Sequence, residues 1–157
     1  MSDPDYKLLQ SQMNALLADE SDSLANASNF VALLNTAMDD VNWLGIYVLR
    51  GNELLLGPFQ GLPACVRIPV GSGVCGTAAE KLQTLRIEDV HEFAGHIACD
   101  AASRSELVVP LLIDDRLVGV LDIDSPSVGR FSAADQSGIE DLCAAYCASQ
   151  SGSDWSI

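Results

Sequence analysis

Basic residues are scarce in this sequence. Lys and Arg number 8 against 22 Asp and Glu, which gives a formal net charge of −14. Nucleic acids and anionic membrane surfaces attract basic patches, so we expect neither as a partner. Most of the acidic side chains are expected to keep the surface solvated.

Long apolar runs are also missing. The longest, "LVVPLLI" at Leu107–Ile113, is far shorter than the roughly 20 residues that cross a bilayer. The start, "MSDPDYK", lacks the basic and apolar regions of a secretory signal. We therefore expect a cytoplasmic protein, whose five cysteines do not form a disulfide framework.

The usual ligand patterns of a structural zinc site are also missing. Such sites often use Cys-x-x-Cys and His-x-x-x-His pairs, and the sequence has neither. The glycine-rich "GSGVCGTAAEKLQ" also lacks a P-loop lysine. We predict no metal and no cofactor, and a short helix here whose N-terminal amides can receive a carboxylate.

The hydrophobic pattern predicts one domain of the α+β class over about 1–150. Strand-like hairpins dominate its middle and helical spacing marks its two ends, which favours an antiparallel sheet with helices against one face and ligand loops over the other. The predicted parts are N-terminal helices at about 5–40, sheet and pocket loops at about 42–125, a C-terminal helix at about 132–149, and a short polar tail at 151–157.

The cysteines fall into two groups. Cys143 and Cys147 lie on the apolar stripe of the last predicted helix, which predicts packing. Cys65, Cys75 and Cys99 lie at or beside loops, where a thiol is more accessible. Redox chemistry suits them better than metal binding, because one thiol can become a sulfenic acid that another condenses to a disulfide.

An acyl-transfer enzyme is the weaker catalytic hypothesis. His96 precedes Cys99 by three residues and such a pair can activate a nucleophile. Nothing in the sequence identifies an oxyanion hole for it.

Acidic residues interrupt a strand that otherwise has the pattern of a buried one. Asp122 and Asp124 alternate with apolar residues in "GVLDIDS", so both point to one face. With Glu106 they can protonate an oxygen leaving sulfur or bind an ammonium group, unless the strand is an exposed edge with solvated acids. A two-residue turn at Asp114-Asp115 would pair Glu106 near Ile123, facing away from both aspartates. Convergence then requires a longer turn, a bulge, or Glu106 lying before the strand.

Six blocks occur in order between about Asn42 and Phe131: "WLGIY", "LGPFQG", "ACVRIPVGSGVCG", "RIEDVH", "GHIACDAASRSE" and "GVLDIDS". In these blocks the sequence resembles the free methionine-(R)-sulfoxide reductases, a family built on the GAF domain. The resemblance implies a six-stranded antiparallel sheet, a loop-covered pocket and a homodimer. It also implies reduction of the R epimer of free methionine sulfoxide, with thioredoxin restoring the oxidised enzyme.

The resemblance also implies roles for individual residues. Cys99 matches the nucleophile and Cys65 the resolving thiol, while Cys75 competes for either role. The remaining matches are to substrate-binding groups, the carboxylates Glu106, Asp122 and Asp124 and the aromatic residues Trp43 and Tyr47.

A non-catalytic GAF sensor of a small molecule or of oxidation is the alternative from another functional class. Such a sensor would form a disulfide without consuming methionine sulfoxide. Sensors normally signal to an attached output domain, and we expect none because the sequence continues little beyond its one predicted domain.

Overall fold

The structure is a computed structural model that describes residues 3–97 and 100–157. Its helices are α1 (Tyr6–Leu17), α2 (Ser23–Ala37), α3 (Gly73–Lys81) and α4 (Ala133–Ser149), with a 3₁₀ turn at Val90–Glu92. Its strands are β1 (Trp43–Arg50), β2 (Glu53–Gln60), β3 (Arg67–Pro69), β4 (Leu85–Ile87), β5 (Ser105–Ile113) and β6 (Arg116–Ser125).

The strands form one six-stranded sheet in the order β3-β2-β1-β6-β5-β4. Every pairing in it is antiparallel, so the predicted α+β class and six-stranded sheet are confirmed. Two hairpins, β1-β2 and β5-β6, supply its centre, and β1 pairs with β6 to join them. No helix in the described part of the chain is long and apolar enough to span a membrane.

The two faces of the sheet bury different side chains because neighbouring residues of a strand point to opposite sides. On one face Leu44, Ile46 and Leu121 pack with apolar side chains of α1, α2 and α4 in the main core. On the other face Trp43 and Tyr47 pack with α3 in a smaller cluster. Burial against the three long helices thus leaves the second face available for loops and a cavity.

The start of α4 is fixed by a buried carboxylate. The Ser132 hydroxyl accepts from the Asp135 amide, and the Asp135 side chain accepts from the Ser132 amide in return. Asp135, only 1% exposed, also accepts from the Tyr6 hydroxyl at 2.6 Å and from Arg130 Nη1 at 3.1 Å. Burial alone would raise the pKa of Asp135, but these hydrogen bonds and the Arg130 charge lower it. One carboxylate therefore joins α1 to α4.

The last residues fold back onto the domain. The Ser151 hydroxyl and the Gly152 amide donate to the Asp114 carboxylate, at 2.5 and 3.0 Å. Trp155 Nε1 donates to the Tyr146 hydroxyl at 3.0 Å. The segment predicted as a polar tail thus contributes an aromatic side chain to the edge of the main core.

Asp135→Asn is expected to lower the free energy of unfolding by about 3 kcal/mol, because it removes a buried charge that Arg130 and Tyr6 both need. The pKa of Asp135 is lowered by folding, so its contribution is present above its unfolded value of about pH 4 and is lost as the pH falls further. Urea unfolding at neutral pH and at about pH 3 measures both effects.

Asp141→Asn, on the exposed side of the same helix, is the matched control and should change stability by less than about 0.5 kcal/mol. An equal loss in both variants, or a difference between Asp135→Asn and wild type that does not decrease between neutral pH and about pH 3, would contradict this prediction.

Candidate active site

The turn between β5 and β6 sets which residues of the hairpin face the cavity. Asp114 and Asp115 form it, with positive φ values of 51° and 62°, as in the type I′ turns that join antiparallel strands. The turn is therefore the two-residue one that the sequence suggested. By itself it would pair Glu106 with Ile123 and leave the three carboxyl groups on different faces.

A β-bulge in β6 corrects the register. Leu112 pairs with Leu117, whereas Leu111 pairs with Gly119, so one extra residue of β6 is accommodated between them. Beyond the bulge, Glu106 pairs with Asp124. The bulge was one of the three ways in which convergence could arise, and it brings Glu106 to the same face as both aspartates of β6.

The aromatic pair predicted for the pocket lies on this same face. Trp43 pairs with Asp124 and Gly45 with Asp122 across β1 and β6. A Cβ at Gly45 would lie 2.7 Å from the Trp43 ring, so the glycine of "WLGIY" makes room for that ring. The ring stacks on Tyr47, with centroids 5.7 Å apart.

Both aromatic side chains also hold the loop that precedes β3. Trp43 Nε1 donates to the Leu62 carbonyl at 3.1 Å, and the Tyr47 hydroxyl donates to the Cys65 carbonyl at 2.9 Å. Burial and the neighbouring acids raise the pKa of Tyr47, so its hydroxyl stays a donor. The sequence predicted that Trp43 and Tyr47 line the pocket, but no sequence pattern indicated that they also anchor the loop.

A cavity opens between this sheet face, the start of α3 and the covering loops. Acidic groups dominate its polar lining, and no Lys or Arg is among the described residues that form it. Its described lining is Trp43, Tyr47, Pro63, Ala64, Ile68, Ser72, Gly73, Val74, Cys75, His96, Ile97, Asp100, Ser103, Glu106, Asp122 and Asp124.

The three predicted carboxyl groups share an environment that favours their neutral forms. Glu106 and Asp122 are each 5% exposed. Burial, then the Asp122 and Asp124 charges, raises the pKa of Glu106 well above its usual range. Burial also raises the pKa of Asp122, and burial with the Asp122 charge raises that of Asp124. The group can therefore retain a proton at neutral pH and still attract a cation.

One carboxylate oxygen has an unused acceptor position. Asp122 Oδ1 is buried and has no hydrogen-bond partner among the residues that the structure describes. Leaving a buried acceptor unpaired costs about 1–3 kcal/mol. Because Asp122 lines the cavity, this oxygen is suited to a donor group on a ligand.

Cys75 differs from the accessible loop thiol that the sequence predicted. It lies in the first turn of α3 and is only 4% exposed. Its Sγ donates to Glu106 Oε2 at 3.8 Å. A helix N-terminus lowers a thiol's pKa, but burial and the charges of Asp122 and Glu106 outweigh this and raise the pKa of Cys75 well above its usual value. It is a neutral thiol inside the acid cluster.

The other cysteines separate as follows. Cys143 and Cys147 are free and buried in the main core, which confirms the packing prediction. Cys65 is half-buried in the loop anchored by Tyr47 and is disulfide-bonded. Cys99, the predicted nucleophile, lies outside the described residues, and so does the predicted pairing of His96 with it; His96 itself lines the cavity.

Asn42 is a positioning residue that the sequence did not indicate. Its Nδ2 donates to Asp100 Oδ2 at 3.0 Å and to Ser103 Oγ at 3.1 Å, and its backbone amide donates to the Asp124 carbonyl. It ties the loop after the 3₁₀ turn to the start of β1. Apart from its position beside Trp43, nothing in the sequence indicates this role. The hydrogen-bond partners lie about 60 residues away and leave no local pattern.

Comparisons with known proteins identify the family of this chain. Residues 12–148 match the GAF domain. The free methionine-R-sulfoxide reductase of Escherichia coli is 55% identical over 139 residues, which cover 88% of this chain and 84% of that protein. The chain belongs to this reductase family. The Saccharomyces cerevisiae member is 44% identical over 126 residues, covering 76% of this chain and 69% of that protein.

Solved structures of the reductase family share the whole fold. Staphylococcus aureus fRMsr in complex with substrate is similar with a TM-score of 0.91 and 48% identity, covering 96% of this chain and 99% of that one. The Neisseria meningitidis free methionine-R-sulfoxide reductase, also with its substrate, has a TM-score of 0.88 and 41% identity, covering 92% of this chain and 87% of that one.

Glu106→Gln is expected to raise the free energy of unfolding by about 1 kcal/mol at neutral pH, because it removes a carboxyl group that is costly to charge there. The pKa of Glu106 is raised by folding, so wild-type stability falls as the pH rises from about 4 towards that raised value. The variant should lack this part of the decline, which thermal unfolding across the pH range measures.

Glu92→Gln, an exposed glutamate of the 3₁₀ turn, is the control and should leave both the stability and its pH dependence unchanged. The interpretation fails if Glu106→Gln destabilises the fold at neutral pH or leaves the pH dependence as in wild type.

Proposed function

We propose that this protein reduces free methionine-R-sulfoxide to methionine. The observation that carries the proposal is the cavity, where three carboxyl groups with raised pKa values lie beside two aromatic rings. The names and substrate complexes of the relatives support the same substrate.

The lining matches the parts of a free amino acid. One or two of the carboxylates bind the ammonium group, for which Asp122 Oδ1 is an open acceptor. Gly73 and Val74, the first two residues of α3, line the cavity, and we assign to the amides of this helix start the binding of the substrate carboxylate. Trp43 and Tyr47 contact the methyl group on the substrate sulfur. A sulfoxide within a protein lacks both charged groups, so the site selects the free amino acid.

A carboxyl group with a raised pKa can act as the acid that the reaction needs. As sulfur is attacked, the sulfoxide oxygen gains negative charge and must be protonated. Glu106 or one of the two aspartates holds a proton at neutral pH for this purpose, because their charges oppose one another in a buried site. The S epimer exchanges the positions of oxygen and methyl, so its oxygen lies away from that acid.

The chemical steps follow a thiol cycle. The Cys99 thiolate attacks the substrate sulfur and forms a transient S–S bond. The protonated oxygen then moves to the Cys99 sulfur as the S–S bond and the substrate S–O bond break, so methionine leaves and Cys99 becomes a sulfenic acid. The Cys65 thiol then attacks the sulfenic sulfur, forming a disulfide and releasing water. Two electrons have passed from the two thiols to the substrate.

Cys65 rather than Cys75 is proposed as the resolving thiol. Cys65 is half-buried in a surface loop and is disulfide-bonded, whereas Cys75 is a free, buried thiol inside the acid cluster. A thiol with a strongly raised pKa is a poor nucleophile at neutral pH.

Thioredoxin is the proposed reductant, acting on a homodimer in the cytoplasm. A dithiol protein can attack the Cys65 sulfur because exposed Leu62, Pro63 and Val66 flank it on the loop. Thiol exchange then returns both cysteines to the reduced state.

Turnover with thioredoxin, its reductase and NADPH tests the proposal. Free methionine-R-sulfoxide should drive NADPH oxidation, and the S epimer or sulfoxide within a protein should be at least about 100-fold slower, as expected when a polar site loses its matching groups. No turnover, or equal turnover with either competitor, would overturn the proposal, and disulfide formation without methionine production would favour a sensor.

Single Cys→Ser variants test the roles of the thiols. Cys99→Ser should abolish methionine formation. Cys65→Ser should give about one methionine per chain and accumulate a sulfenic acid that a dimedone reagent traps. Cys75→Ser should still form the disulfide, as measured by mass spectrometry. If Cys75→Ser instead prevents disulfide formation while Cys65→Ser does not, the assignment of the resolving thiol is wrong.

A further inference from the structure

We propose that Cys75, Glu106 and Asp122 form a binding site for one thiophilic divalent cation, such as Zn²⁺ or Cd²⁺, which excludes the sulfoxide substrate when bound. The ligand atoms of the three side chains all lie within 4.8 Å of one another, and all three residues are buried. The sequence predicted no metal because these ligands come from α3, β5 and β6, with no close pair along the chain.

An unsatisfied group in the cluster points to a cationic ligand. Asp122 Oδ1 is buried and unpaired among the described residues, and Asp122 lines the cavity beside Cys75 and Glu106. No Lys or Arg from the described lining offsets these acids. A divalent ion bonded to Oδ1 relieves both the missing contact and the repulsion between the neighbouring charges.

The donor set selects the class of ion. One sulfur and two carboxylate oxygens favour zinc or cadmium, whereas magnesium and calcium prefer oxygen alone. In a tetrahedral zinc site with bonds of about 2.3 Å to sulfur and 2.1 Å to oxygen, the sulfur and oxygen lie ~3.6 Å apart. Cys75 Sγ and Glu106 Oε2 are 3.8 Å apart, so this pair needs little movement. Three protein ligands leave the remaining position open to water.

Competition with the substrate follows from shared atoms, and this part of the inference rests on the proposed function. The same carboxylates are proposed to bind the ammonium group and to protonate the sulfoxide oxygen. An ion bonded to Glu106 and Asp122 occupies both roles, so substrate and metal cannot bind together. Binding of the ion itself does not depend on the reaction.

Metal binding is tested in a full-length variant that keeps Cys75 as its only cysteine and carries Cys65→Ser, Cys99→Ser, Cys143→Ser and Cys147→Ser. Cd²⁺ should bind at one ion per chain and give the ultraviolet absorption of a thiolate–cadmium bond, and Zn²⁺ should displace it. Adding Cys75→Ser should abolish the absorption and weaken Zn²⁺ binding about tenfold or more, at least as much as loss of an outer-shell contact does. Circular dichroism checks that both variants fold.

Glu106→Gln in the otherwise wild-type reduced protein is the second test, because it removes a ligand charge and retains the side-chain shape. It should also weaken Zn²⁺ binding by about tenfold or more. Glu92→Gln, at an exposed residue that is not part of the described cavity lining, should bind as wild type does. The site is overturned if binding is not one to one, if the cadmium absorption survives Cys75→Ser, or if Glu106→Gln binds Zn²⁺ like wild type.

Competition is measured in a single turnover of pre-reduced enzyme, without thioredoxin, by the amount of methionine formed. Zn²⁺ should slow the reaction at low sulfoxide but not at saturating sulfoxide, and EDTA should restore the rate. Equal slowing at both concentrations would overturn competition. If the metal-free enzyme forms no methionine, the proposed function fails, while the cadmium absorption still decides the metal site.

Discussion

The register of one hairpin decides whether this fold has a site at all. A single extra residue in β6 brings Glu106 opposite Asp124 and onto the face that carries Asp122. Without it, Glu106 would point into the apolar core beneath the helices, where a carboxyl group is far more costly. The clustering of three carboxyl groups in the cavity therefore depends on that one bulge.

The acid cluster is stable only because the other face of the sheet is so well buried. Leu121 and Ile123 alternate with the two aspartates along β6 and lie in the main core with no exposed surface. Burial of these strands under three helices provides the free energy that holds the carboxyl groups close together. The convergence of three buried carboxyl groups destabilises the fold, and burial of the opposite face of the sheet against the helices offsets that cost.

The sequence predicted the fold and most of the site because its signals are local. Alternation in "GVLDIDS" placed Asp122 and Asp124 on one face, and helical spacing placed the last helix at about 132–149, close to α4. The facing of Glu106 was not predictable, because a bulge five residues or more away decides it. The burial of Cys75 was missed for a related reason: a glycine-rich segment indicates a loop, whereas packing of α3 against β5 and β6 buries its first turn. Partners distant in sequence, such as Asn42 and Asp100, left no pattern to read.

The hydrogen bonds from Trp43 and Tyr47 end on backbone carbonyl groups of the loop, at Leu62 and Cys65. A carbonyl oxygen is present whatever side chain its residue carries and whatever the oxidation state of a sulfur attached to it. A change in the oxidation state of Cys65, or a substitution on the outer surface of the loop, therefore leaves these two hydrogen bonds in place over the cavity. Within Cys65, the sulfur of the side chain is free to change chemically, while the backbone carbonyl keeps its hydrogen bond to Tyr47 and holds the wall of the pocket in position.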